Sequence, residues 1–119
     1  MKVYLASIAT SEYPIERKVF KSIDSSLKYI YDNLKSLSMK CIEGCDFFDR
    51  EYIQNYFTEE FFTQFGSGSK KMNCNSTYGE FFIEKMSDSK YMFVFTPFIS
   101  MRLQNPFIVC ELDTLDLLK

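Results

Sequence analysis

The hydrophobic pattern of this chain changes character twice: β-rich runs near the N-terminus give way to a helical period in the middle, and strand-like segments return toward the C-terminus. Residues 2 to 10 and 15 to 21 are β-rich and are separated by Ser11-Glu12-Tyr13-Pro14, where the proline and its polar neighbours read as a turn. This predicts a first antiparallel hairpin. Ile23, Leu27, Ile30, Leu34 and Leu37 then recur at spacings of four, three, four and three, one stripe of a helix, with Lys28, Asp32 and Lys35 on the opposite side. Ser22 or Asp24 can cap its start. Ser38 to Gly44 reads as a short strand or as the loop leaving this helix.

Residues 46 to 65 are the densest in aromatic side chains, and their spacing predicts a second helix with Asp46 as its N-cap. Phe57, Phe61 and Phe65 fall at i, i+4 and i+8, while Phe48, Tyr52 and Tyr56 form a second such stripe displaced around the axis. Two stripes make a wide apolar face, more than one core-facing side requires. One stripe is expected to lie exposed as a contact surface, since contiguous apolar patches on soluble chains commonly mark interfaces.

Gly66-Ser67-Gly68-Ser69-Lys70-Lys71 opens a polar stretch to Thr77, with the composition of a loop. Tyr78 to Met86 and Tyr91 to Thr96 read as strands joined by Ser87-Asp88-Ser89-Lys90, a second hairpin. Tyr91, Phe93 and Phe95 share one face of the later strand and Met92 and Val94 the other, so that strand is expected to be central. Phe107 to Leu112 closes the set, followed by an acidic tail. The fold class is α+β: one domain over residues 1 to 119, with an antiparallel sheet of about four or five strands from two β-hairpins plus a closing strand, covered on one face by two helices.

Composition changes this picture mainly by exclusion. The chain of 119 residues holds 13 Phe and 8 Tyr but no histidine and no tryptophan. Without histidine there is no imidazole base, no Ser-His or Cys-His nucleophile pair and no histidine metal ligand. The formal charge of −2, from 14 Lys+Arg against 16 Asp+Glu, lacks the basic excess that accompanies duplex binding. The first residues are too short and too mixed for a signal peptide, so the expectation is a cytoplasmic protein without a membrane segment.

Of the four cysteines only Cys41 and Cys45 stand at knuckle spacing, so a Cys₄ zinc site is disfavoured and no metal or cofactor is expected. Cys45, just before Asp46, would need a helix N-terminus or a lysine to become a nucleophile. The carboxylate pairs Glu59-Glu60, Glu80/Glu84 and Glu111/Asp113 could divide acid and base roles, but such spacings arise by chance in so acidic a chain. These readings together point away from an enzyme.

The expected function is therefore a non-enzymatic protein-binding module, an inhibitor or adaptor that occupies a partner's surface. Its contact would use Phe48, Tyr52, Tyr56, Phe57 and Phe61, because aromatic anchors dominate such interfaces. A bias toward Lys, Ile, Asn, Phe and Tyr hints at an AT-rich genome, and with it a viral or phage protein acting on a host or defence factor; a homo-oligomer is a further expectation. The alternative is a small-molecule, nucleotide-like sequestering protein in which Ser67, Ser69, Lys70 and Lys71 meet phosphate. A second alternative is a single-stranded nucleic-acid binder. Val3-Tyr4-Leu5 and Tyr91-Met92-Phe93-Val94 resemble the aromatic strands of RNA-recognition domains, with Lys70, Lys71, Lys85 and Lys90 nearby. The missing glycine, the element order and the acidic balance depart from that family.

Overall fold

The computed structural model describes residues 1–10, 15–65, 70–98 and 107–117. The β-rich runs at the start of the chain give β1 (Lys2–Thr10) and β2 (Glu16–Phe20), paired antiparallel with Ala6 opposite Lys18. The helical stripe gives α1 (Ile23–Cys41). Ser22 caps it by accepting from the Ser25 backbone N–H at 3.2 Å, and Leu27, Ile30 and Leu34 are fully buried. Residues 38 to 41 continue this helix rather than forming a strand, because Ser38 is buried on its inner side and its hydroxyl donates back to the Lys35 carbonyl.

One antiparallel sheet runs through the molecule in the order β2-β1-β6-β5-β4-β3. It has six strands, where four or five were expected. The extra one is β3 (Lys70–Asn75), inside the stretch whose composition reads as loop; β4 (Gly79–Ser87), β5 (Lys90–Pro97) and β6 (Ile108–Asp116) follow. The closing strand β6 does not sit at an edge. It inserts between β1 and β5 and joins the N-terminal hairpin to the C-terminal meander. As expected from its apolar faces, β5 lies inside the sheet.

Register carries the core across the strands. Ile8, Cys110, Phe93, Ile83 and Met72 stand directly opposite one another in turn, as do Thr10, Ile108, Phe95, Phe81 and Cys74. These rows face the covering layer. At Gly79 the sheet leaves no room for a side chain, since a Cβ there would lie 2.5 Å from the Thr96 carbonyl oxygen.

The chain between β2 and β3 crosses from one edge of the sheet to the other and supplies that covering layer. Its first half is α1; its second half is not the single helix that the spacing predicts. Two 3₁₀ turns, Phe47–Asp49 and Asn55–Phe57, alternate with two short helices, α2 (Glu51–Gln54) and α3 (Glu59–Gln64). Arg50 and Thr58 interrupt them with extended backbone, ψ 135° and 151°. The reason lies in packing. A straight helix turns about 100° per residue, so Phe47, Phe48, Ile53, Phe57 and Phe62 would spread over most of its circumference. All five are buried here, and the two breaks are what let them face one sheet. Lys35 of α1 grips the first turn through Asp49, Nζ to Oδ1 2.6 Å.

Candidate interaction surface

The aromatic segment divides into an inner and an outer layer. Inside, Phe48 meets Phe47 at 5.1 Å, Phe81 at 5.3 Å and Phe95 at 5.2 Å between ring centroids, Phe57 stacks on Phe93 at 5.3 Å, and Phe62 meets Tyr91 at 4.4 Å. Tyr31 of α1 closes this layer, its ring edge on Phe57 and its hydroxyl donating to the Phe48 carbonyl. Such edge-to-face and offset contacts add to the area buried. Phe48 is 1% exposed and Phe57 8%, so the expectation that both offer themselves as contact residues is corrected: the breaks at Arg50 and Thr58 turn them into the sheet.

Outside lie the other three expected contact residues. Tyr52 is 47% exposed, and Tyr56 and Phe61 are half-buried. Tyr56 joins the group, 6.3 Å from Tyr52 and 5.0 Å from Phe61, and Phe61 leads on to Phe65 at 5.4 Å. Beside them opens a groove of about 350 Å³, lined by Asn55, Tyr56, Thr58, Glu60, Phe61 and Gln64. The ledge is anchored to the sheet at β3, where the Cys74 thiol donates to the Tyr56 hydroxyl at 3.7 Å. Burial foremost, and this bond after it, raise the Tyr56 phenol to about 12.

The alternative phosphate site does not assemble among the described residues. Ser67 and Ser69 lie outside them. Lys70 and Lys71 stand on β3, not in a loop, and adjacent strand residues point to opposite faces. Lys70 is level with Lys85, while Lys71 is level with Glu84 and has its ammonium 4.1 Å from the Phe82 ring centroid. The two side chains therefore leave the strand on opposite faces.

The sheet face away from the helices is uncovered among the described residues. Ala9, Val109, Val94, Phe82 and Asn73 form a row across it, and the next row along carries Ser7, Glu111, Met92, Glu84 and Lys71. Of the carboxylate pairs, Glu59-Glu60 stands in the first turn of α3, while Glu80/Glu84 and Glu111/Asp113 lie on this open face, where Lys90 bridges Glu111 at 3.4 Å and Asp113 at 3.9 Å. All four cysteines are free thiols, and burial pushes the Cys110 thiol up, which makes it inert. Among the described residues no group of three or more Cys, Asp or Glu is placed to hold a metal ion, and no helix is long and apolar enough to cross a membrane.

The sequence reasoning missed β3. Its signal was the alternation of Met72 and Cys74 with Asn73 and Asn75, a period of two hidden by the Gly-Ser run before it. Comparison with protein-family models, curated proteins and solved structures finds no match to this chain.

Proposed function

We propose that this chain is a non-enzymatic protein-binding module that acts by occupying a partner's surface, and that its contact is the ledge of Tyr52, Tyr56 and Phe61 with the groove beside it. One observation carries the reading: the segment 47–65 places its inner aromatics in the core and still presents a second aromatic layer on the outside. Tyrosine suits that position, because its ring gives contact area with few rotamers to fix while its hydroxyl stays hydrogen-bonded. Asn55, Thr58, Glu60 and Gln64 around the groove supply the polar rim that such interfaces have. An inhibitor or adaptor directed at a host or defence factor, in the cytoplasm, is the biological form of this proposal. The nucleotide reading has no converging cations to support it, and Glu80, Glu84, Glu111 and Asp113 on the open sheet face oppose an anionic strand.

The test is affinity capture with the wild type and with Tyr52→Ala/Phe61→Ala. We expect one stoichiometric partner whose binding weakens at least about tenfold in the variant, while cooperative unfolding is kept. Equal capture by both proteins would overturn the reading. So would a rise of several degrees in melting temperature with nucleotides, joined to partner binding that ignores the double substitution.

A further inference from the structure

The sheet ends in two free edges among the described residues, β2 and β3. An edge strand leaves every second backbone N–H and C=O unpaired, a template for another strand. The two edges are guarded very differently. Self-pairing of antiparallel strands about a two-fold axis perpendicular to the sheet must centre on a residue, because directly opposite residues share a face. On β2 each interior centre opposes cations: Arg17 or Lys18 meets its own copy, and a centre at Val19 puts Arg17 across from Lys21. Like charges directly opposite destabilise a strand pair. This edge is closed to a second copy.

On β3 the charges are confined to the first two residues, Lys70 and Lys71, and Met72-Asn73-Cys74-Asn75 is uncharged. Centred on Asn73, self-pairing sets Met72 of one copy against Cys74 of the other, and Lys71 against Asn75. No like charges meet. Met72 and Cys74 are level with Ile83 and Phe81 on the helix-covered face, so apolar side chains join apolar side chains there. Asn73, Lys71 and Asn75 meet one another on the open face. The row Ala9-Val109-Val94-Phe82-Asn73 then continues through the axis into its copy.

We propose that β3 pairs antiparallel with β3 of a second copy of this chain, centred on Asn73, so that one sheet runs through a symmetric dimer. The occupant of this edge is set by its own sequence: a strand whose uncharged half is complementary to itself, opposite an edge that charge protects. This inference rests on the edge and its register, and stands whether or not the aromatic ledge binds another protein. Since the interface is a single short strand pair, the dimer is expected to dissociate on dilution.

Two measurements test it. In analytical ultracentrifugation the wild type should shift from monomer to dimer as concentration rises, and Asn73→Lys, which sets two cations face to face, should weaken association by about tenfold or more with an unchanged circular-dichroism melt. In a Cys41→Ser/Cys74→Ser background, Asn73→Cys should form an intermolecular disulfide under mild oxidation, because the two Cβ atoms lie within bridging distance across the axis. Val19→Cys on the other edge should stay reduced. A wild type that is monomeric up to about 1 mM, where binding is worth only some 4 kcal/mol, would overturn the proposal. Undiminished dimerisation of Asn73→Lys, or equal crosslinking at positions 73 and 19, would do the same.

Discussion

Phe48 and Tyr52 are one helical turn apart in sequence spacing, as are Phe57 and Phe61, yet the first of each pair is buried and the second faces outward. The inner layer is part of the core: Phe47, Phe48, Phe57 and Phe62 touch Phe81, Phe93, Phe95 and Tyr91 of the sheet. The outer layer links Tyr52–Tyr56, Tyr56–Phe61 and Phe61–Phe65, and rests on the inner one through Phe61–Phe62, Phe65–Tyr91 and the hydrogen bond from Cys74 to Tyr56. The same residue types at the same spacing thus do two jobs. What separates them is the backbone, bent at Arg50 and Thr58 so that one layer is driven inward and the other left outside.

The sharpest way to break this comparison is to truncate an inner ring. Phe48→Ala removes a side chain that meets three other phenylalanines and leaves an apolar cavity behind, and we expect a loss of about 3–5 kcal/mol in urea denaturation. Against a total of about 5–15 kcal/mol for a domain of this kind, that leaves a marginal protein. A loss below about 1 kcal/mol would show that the two layers are not energetically distinct.

The hinge between the layers comes next. The Thr58 hydroxyl accepts from the Phe61 backbone N–H at 3.2 Å and donates to the Asn55 carbonyl at 2.9 Å, so one side chain ends the second 3₁₀ turn and starts α3. Thr58→Ala should lose about 1 kcal/mol by the same denaturation, as N-cap removals do, and Thr58→Ser should recover most of it. Equal losses in both variants would place the effect in the methyl group's packing and not in the cap.

Much of the inner architecture was legible, and the failures share a cause. The first hairpin was readable because two β-rich runs flank a proline-containing polar stretch, and α1 because it buries one side, so period 3.6 reaches the sequence undistorted. The segment 46 to 65 carries the same helical spacing but must bury residues on several sides, and no local signal marks where it bends to do so. All five aromatics therefore looked alike as contact residues, and nothing in their spacing separates Tyr52, Tyr56 and Phe61 from the buried Phe48 and Phe57. Asp46 looked like the cap of a long helix, yet it makes no side-chain capping bond. The position of β6 was out of reach too, because which strands flank a closing strand depends on contacts nearly a chain length apart. Strand β3 was hidden for a local reason, since its lysines and asparagines resemble the loop before it.

The outer layer's hydrogen bond to Cys74 gives the smallest effect and the finest test. The Tyr56 phenol stands at about 12 in the folded protein against about 10 in an unfolded chain, so the native state keeps a proton that the unfolded state releases. Its contribution to stability is whole below pH 10 and is lost as pH rises toward 12. Tyr29, Tyr31 and Tyr91 are raised as well, each chiefly by burial, and add to the same decline. Tyr56→Phe removes the raised phenol that bonds to Cys74. Denaturation midpoints measured from pH 9 to 12 should therefore fall less steeply in this variant than in the wild type, with the curves nearly parallel below pH 10. Parallel curves throughout would mean that Tyr56 is as open to water as Tyr52, and that the tether to Cys74 does not set the ledge against the sheet.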